Sequence, residues 1–210
     1  MAHVRISALI AAAALAFSAP TLATVVGGAE TGGTAFNNGG VFMIVAPFAQ
    51  VGNNRQQDNN LYAWNEVQDF TLGTNLAVDI GGPFILAGTR VASHGIVFDP
   101  TSSRTLRGYV GFDRKILAVI TRRDTLMASD FLNGGVTAFD NPIARGLEIN
   151  DHNNTSFLGN MLTIDWTASA PGDNIRVITS YVPEPASWAL MIAGFGMIGL
   201  AARRRARATA

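Results

Sequence analysis

The chain has 210 residues, of which 48% are hydrophobic and 14% are charged, with 15 basic and 15 acidic residues, 22 glycines and no cysteine. An apolar composition with balanced charge excludes an intrinsically disordered chain. The absence of cysteine excludes disulfide scaffolds, cysteine-ligated zinc sites, iron–sulfur clusters and thiol nucleophiles. It also excludes the lipid-carrying cysteine of a bacterial lipoprotein.

The first 23 residues are ordered like an export signal peptide. Arg5 stands near the start, an apolar run covers residues 8–17, and small residues come directly before Thr24. A buried amphipathic helix is the alternative, but the run is apolar on all sides. We therefore predict a signal peptide over residues 1–23, with cleavage before Thr24.

Residues 24–182 form the body of the protein and have the size of one domain. This body carries 14 acidic residues against 10 basic ones. A nucleic-acid-binding domain shows the opposite balance or a basic stripe. We therefore expect no nucleic-acid partner.

The body is patterned like an all-β domain, with short apolar or alternating runs separated by clusters of Gly, Asn, Asp and Pro. The runs predict a single β-sandwich or jelly-roll-like ectodomain. Within 161–166, alternate residues are apolar, which is typical of a half-buried strand. The best helical segment is 124–132, so helix is a minor component. The predicted strands cover residues 41–45, 67–72, 76–80, 96–98, 109–112, 116–121, 146–149, 161–166 and 175–181.

The histidines and serines of the body do not lie in a recognisable metal-binding or nucleophile motif. His94 and His152 lack partners at metal-binding spacing, and no serine lies in a GxSxG motif. Ser93 and His94 are neighbours, so their side chains point to opposite faces of a strand. We predict that His94 is a hydrogen-bonded strand residue, and we expect no catalytic residue and no cofactor.

Two segments of the body have side chains that could bind a ligand. Residues 53–64 combine amides with Asp58, Tyr62 and Trp64, as sugar sites do, although a polar loop leading into a strand with core aromatics is the favoured interpretation. The second segment offers oxygen ligands of the kind that calcium takes, but ordinary turn chemistry explains them equally well, and we expect no bound metal. Its candidate ligands are Asp140, Glu148, Asp151 and Asn153.

The C-terminal tail predicts a membrane helix. Residues 186–202 contain no charge and would span roughly 26 Å as a helix, which is just enough to cross a hydrocarbon core. Arg203, Arg204 and Arg205 follow at once, and such a cluster stays on the cytoplasmic side. The body, which precedes the span, is therefore predicted to lie outside the inner membrane.

The same tail resembles a known sorting signal. Pro183-Glu184-Pro185, then Trp188, the glycine-containing span and the terminal arginines resemble the PEP-CTERM tail of Gram-negative bacteria in its PEPxxWA form. The resemblance divides residues 183–210 into the motif at 183–185, the helix at 186–202 and the basic end at 203–210. It implies that an exosortase recognises and processes the tail. The residues of the predicted sorting signal are Pro183, Glu184, Pro185, Trp188, Arg203, Arg204 and Arg205.

The family resemblance also sets an expectation for function. The body looks like the ectodomains that precede this tail in alphaproteobacterial proteins of unknown molecular activity. We expect a non-enzymatic structural or binding component linked to exopolysaccharide and biofilm, first anchored in the inner membrane with its body in the periplasm and then at the cell surface or extracellular. The alternatives are a secreted polysaccharide hydrolase and a calcium-dependent carbohydrate-binding module.

Overall fold

The structure is a computed structural model that describes residues 23–52, 55–181 and 193–197. Leu22–Val182 form one compact unit, which corresponds to the body. Residues 193–197 are helical. The predicted signal peptide up to residue 22 and the Pro-Glu-Pro motif lie outside the described residues. Trp188, the rest of the predicted membrane helix and Arg203, Arg204 and Arg205 also lie outside them.

The body consists mainly of strands with a few short helices, which confirms the predicted all-β class. Two 3₁₀ helices, Asp130–Asn133 and Pro142–Ala144, lie in its connections. In chain order the strands and α-helices are β1 Val25–Gly32, α1 Gly33–Asn37, β2 Phe42–Ile44, β3 Gln50–Val51, β4 Leu61–Asn65, β5 Phe70–Thr71, β6 Leu76–Ala77, β7 Phe84–Ile85, β8 Arg90–Phe98, β9 Arg104–Phe112, β10 Ile116–Ile120, α2 Arg123–Ala128, β11 Ala138–Phe139, α3 Ile149–Asn153, β12 Ser156–Leu158, β13 Met161–Ala168 and β14 Asp173–Ser180.

Two larger sheets organise these strands. The first is antiparallel with the strand order β1-β9-β13-β12. The second has the order β10-β14-β8-β4-β2, with β5 added beside β8. Its pairs are antiparallel except for β2 with β4, which run parallel. Two small ribbons, β3 with β11 and β6 with β7, complete the described strands.

The main hydrophobic core receives side chains from both larger sheets. Leu162, Ile164 and Trp166 of β13 are buried in it, while the residues between them face outward, so the predicted alternation of this strand is confirmed. From the second sheet, Ile96 and Val177 enter the same cluster. The two sheets therefore share one core.

The second sheet is also covered on its other face. Ile178 of β14 and Leu126 of α2 belong to a second buried cluster. Trp64 belongs to a third, and its ring lies against the bare backbone of Gly95, where an added Cβ would stand 2.2 Å from the ring. A strand buried on both faces shows no polar alternation, which explains why β8 was visible in the sequence only at residues 96–98.

Two sequence predictions need correction. Residues 146–149 are not a strand but a loop that enters α3, because Gly146 has a φ of +96° and its N–H donates to the Asn174 side chain at 2.7 Å. The predicted helix at 124–132 is divided into α2 and a 3₁₀ helix. The division falls at Ser129, whose φ and ψ of −101° and 9° lie outside the α-helical region.

Candidate functional site

An acidic cluster forms where the loop before α3 meets the start of β14. One carboxylate oxygen from each of Glu148, Asp151 and Asp173 lies within 4.8 Å of the other two. Glu148 directly precedes α3, Asp151 lies within that helix, and Asp173 is the first residue of β14. Glu148 is exposed and the two aspartates are buried.

Backbone hydrogen bonds fix the segment that carries Glu148. Besides the bond from Gly146 to Asn174, the N–H of Leu147 donates to the carbonyl oxygen of Thr121 at 2.8 Å. Since Asn174 directly follows Asp173, one side chain of β14 holds the loop next to the buried carboxylate. The arrangement of Glu148 and Asp173 is thus set by tertiary contacts.

Asp173 is held by a close backbone approach. Gly172 has a φ of +83°, and a Cβ at this position would stand 2.7 Å from the Cα of Asp99. Only glycine fits such a position without strain. The turn before β14 therefore places Asp173 at the buried start of the strand.

Asp151 is connected to the core through α3. Its Oδ2 accepts a hydrogen bond from the N–H of Thr167 at 3.1 Å, and its carbonyl oxygen accepts one from the Thr155 hydroxyl at 2.6 Å. The same hydroxyl accepts a hydrogen bond from Nε1 of the buried Trp166 at 2.8 Å. The carboxylate of Asp151 is therefore fixed relative to β13.

The environment of the cluster disfavours its full ionisation. Burial first, then the charges of Glu148 and Asp151, and then hydrogen bonds with the side chains of the same two residues raise the pKa of Asp173 to about 9. Burial also raises the pKa of Asp151, with a further contribution from the charge of Glu148. Among the described residues, no lysine or arginine forms an ion pair with any of the three acids.

Two clefts border the cluster. One, of about 230 Å³, is lined by Glu148 and Asp173 among others. The other, of about 550 Å³, is lined by Glu148, Asn150, Asp151, Asn154 and Thr167. The cluster is therefore reachable by solvent, ions and small polar groups.

The structure brings together only two of the four candidate calcium ligands that the sequence indicated. Glu148 and Asp151 meet, but Asp140 forms an ion pair with Arg55 and, like Asn153, is not in the cluster. Asp173 was missed, because its Pro-Gly-Asp segment reads as an ordinary turn. The sequence offered no signal that this turn returns to the loop before α3.

The second candidate segment, residues 53–64, leads into β4, as the favoured interpretation predicts. Trp64 is buried in a cluster with Val51 and Val97. Tyr62 is half-buried and its hydroxyl donates to Asp58 Oδ2 at 2.5 Å. The Trp64 ring is therefore a core side chain that a sugar cannot reach.

His94 is a fully buried residue of β8, and the predicted hydrogen-bonded strand residue is confirmed. Its Nδ1 lies 2.9 Å from Asn65 Oδ1 and its Nε2 lies 3.0 Å from the Thr179 hydroxyl. These partners fit a neutral ring that donates from Nδ1 and accepts at Nε2. Burial lowers the pKa of His94 to about 3. Ser93 instead donates to Glu66 at 2.5 Å.

Comparison with known proteins identifies the tail. Residues 182–205 match the family model described as the PEP-CTERM protein-sorting motif. This motif indicates export, anchoring in the membrane before processing, and sorting by an exosortase. No curated protein and no solved structure matches the chain.

Within the described parts of the chain, no helix combines the length and the apolar character that crossing a membrane requires. The predicted span at 186–202 has only residues 193–197 in that part, and it stays a prediction.

Proposed function

We propose that this protein is a non-enzymatic component of an alphaproteobacterial cell surface or extracellular matrix, and that its body contacts exopolysaccharide or neighbouring matrix proteins. The observation that carries the proposal is the sorting motif at residues 182–205, because a tail processed by an exosortase delivers the preceding body outside the inner membrane. Proteins with such tails are associated with exopolysaccharide production and biofilm formation, and we extend that association to this chain.

We further propose that the body is a β-sandwich. Support comes from the core, to which β13 of one sheet and β8 and β14 of the other contribute buried side chains. Two sheets that share inward-facing residues pack as layers. Such a scaffold presents its loops at the ends of the sheets, where the acidic cluster and its clefts lie.

The larger cleft is the proposed contact site for sugars. Its volume of about 550 Å³ is in the range of small-ligand sites, and Asn150, Asn154 and Glu148 line it with planar hydrogen-bonding groups. These groups match the hydroxyl groups of a polysaccharide. The site would hold one or two sugar units of a longer chain.

A secreted hydrolase is the competing function, because the cluster brings acids together at a cleft. Its geometry supports hydrolysis poorly. One carboxylate oxygen of each acid lies within 4.8 Å of the other two, which is below the roughly 6.5–9.5 Å of inverting glycosidases and close to the roughly 5–5.5 Å of retaining ones, so burial and not spacing disfavours hydrolysis. Asp151 and Asp173 are only 4% and 3% exposed, so neither can reach the glycosidic oxygen of a polymer.

One experiment separates the two functions. The exported protein is incubated with exopolysaccharide purified from the same bacterium, and both cosedimentation and the release of reducing ends are measured. We expect the protein to sediment with the polymer and no reducing ends to form. Asn150→Ala should weaken sedimentation, whereas Asp124→Asn, an exposed acid of α2, should not.

Two outcomes would contradict the proposal. Reducing ends that accumulate with the wild type and not with Glu148→Gln would establish a hydrolase. A protein that never sediments with the polymer would exclude the polysaccharide contact.

A further inference from the structure

We infer that Glu148, Asp151 and Asp173 form a binding site for a divalent cation, and that calcium is the ion they fit best. The site replaces the sequence-based expectation of no bound metal. It goes beyond the proposed matrix role and shares Glu148 and the larger cleft with the proposed sugar contact, but its test measures ion binding without any polysaccharide.

The spacing of the carboxylates fits one shared ion. Calcium binds oxygen ligands at 2.3–2.6 Å, so two ligands on opposite sides of the ion are roughly 4.6–5.2 Å apart. The oxygens of Glu148, Asp151 and Asp173 all lie within 4.8 Å of one another. One calcium ion can therefore contact all three without a rearrangement of the backbone.

An unsatisfied oxygen at Asp173 points separately to a missing ligand. Asp173 is 3% exposed, and among the described residues its buried Oδ2 receives no hydrogen bond from an N–H or hydroxyl donor, so its polar neighbours are the carboxyl groups of Glu148 and Asp151. An unsatisfied buried acceptor is costly. The buried carboxylate of Glu66, in contrast, accepts hydrogen bonds from Arg176 and Ser93. A cation between the three acids would supply the partner that Asp173 lacks.

The charge balance of the site agrees with a bound cation. Elsewhere in the body, Asp130 pairs with Arg145 and Asp140 pairs with Arg55. Within the described residues, the three acids of the cluster have no such counter-charge. Arg145 lines the smaller cleft, but its guanidinium is already engaged by Asp130 at 2.7 and 2.8 Å.

The ligand chemistry favours calcium among the divalent ions. The set consists of carboxylate oxygens, while zinc sites are dominated by nitrogen and sulfur ligands. Calcium accepts six to eight oxygen ligands in flexible geometry, whereas magnesium requires a near-ideal octahedron at 2.0–2.1 Å. The two clefts leave room for water ligands, and Asn150 and Asn154 line the larger one with amide oxygens.

The test measures thermal stability of the full-length chain in a mild detergent after removal of bound ions with EGTA. Calcium sites of extracellular proteins have dissociation constants of about 0.1 mM. Calcium at 10 mM therefore shifts the folding equilibrium about 100-fold towards the folded state. For a chain of this size the melting temperature should rise by about 5–10 °C. An equal concentration of magnesium should raise it by less than half as much.

Three variants assign the shift to the cluster. Asp173→Asn keeps the shape of the side chain and removes its capacity to bind an ion as a carboxylate, and Glu148→Gln changes an exposed residue whose side chain makes no capping hydrogen bond to α3. Both should lose most of the calcium-induced shift. Asp140→Asn is the matched control, because Asp140 is an acid of the same chain region outside the cluster, and it should keep the full shift.

Several results would overturn the inference. A wild type that calcium does not stabilise, with Asp173→Asn more stable than the wild type in EGTA, would show that the acids share a proton and hold no ion. An unchanged shift in Glu148→Gln would also exclude the site, even if Asp173→Asn failed to fold. An equal shift with magnesium would exclude the preference for calcium.

Discussion

Replacing Arg176 by methionine should destabilise the body strongly, because this arginine neutralises a buried acid. Arg176 is 1% exposed, and its Nε donates to Glu66 Oε2 at 2.7 Å. Its Nη1 donates to the Ser129 hydroxyl at 2.6 Å and to the Leu126 carbonyl at 3.2 Å, which attaches the α2 segment to β14. Methionine fills most of the volume, so the main loss is the charge and its hydrogen bonds.

The size of the destabilisation follows from the Glu66 carboxylate, which stays buried in the variant. Without Arg176, the Glu66 side chain, which is 2% exposed, keeps the Ser93 hydroxyl as its donor and has no other ion-pair partner in the described part of the chain. Breaking a buried ion pair from one side costs about 3–5 kcal/mol. For a chain of this size the melting temperature should fall by about 6–20 °C.

Differential scanning fluorimetry of the full-length chain measures this loss of stability. A double variant tests whether the unpaired charge of Glu66 causes it. Glu66→Gln combined with Arg176→Met removes the charge that the single variant leaves unpaired, so it should recover more than half of the lost stability. A single variant within about 1 kcal/mol of the wild type would refute the reasoning. So would a double variant that is no more stable than the single one.

Three further predictions concern buried groups of the sheets. Burial raises the pKa of Glu30 from 4.5 to about 7, so the free energy of unfolding should fall as the pH rises between these values. In urea denaturation at pH 8, Glu30→Gln should therefore be more stable than the wild type by about 1–3 kcal/mol. Gly95→Ala should cost about 1–3 kcal/mol in the same assay, because its Cβ would clash with Trp64. His94 has its pKa lowered to about 3, so acid should destabilise the wild type progressively below pH 6.5, and His94→Gln should show a shallower loss on acid titration.

The sequence predicted strands from polar alternation and from short apolar runs such as those of β10 and β14. Alternation identified β13, where Leu162, Ile164 and Trp166 are buried and the residues between them are not. It located β8 only at residues 96–98, because this strand is buried along both faces from Val91 to Phe98. The sequence did not predict β1, because its glycines have low strand propensity and the strand is defined by its pairing with β9.

The acidic site could be predicted only in part, for a topological reason. Glu148 and Asp151 are close in the chain, so a local pattern of oxygen ligands was visible. Asp173 joins them because the pairing of β14 and the hydrogen bond from Gly146 to Asn174 bring distant segments together. In the sequence, Asp140 looked like a ligand equivalent to Glu148 and Asp151, but in the structure it forms an ion pair with Arg55. Local spacing contains no information on either contact.

The sorting role of the tail is tested most directly by the mass of the mature protein recovered outside the cell. Proline favours extended backbone in the residue before it and lacks the N–H that strand pairing needs, which suits a protease substrate, and from the sequence we expect no contribution of Glu184 to membrane insertion because it precedes the apolar run. Replacing Pro183, Glu184 and Pro185 together by alanine should therefore leave the chain inserted in the membrane but uncut.

Shortening the apolar run at 186–202 provides the matched control. Roughly 26 Å of helix is near the minimum for spanning, so a run shortened by several residues should let the uncut chain pass into the periplasm. We predict that mass spectrometry finds a protein trimmed near the Pro-Glu-Pro motif only in the wild-type culture. An alanine variant that is released and trimmed to the same mass as the wild type would contradict the sorting role of the motif.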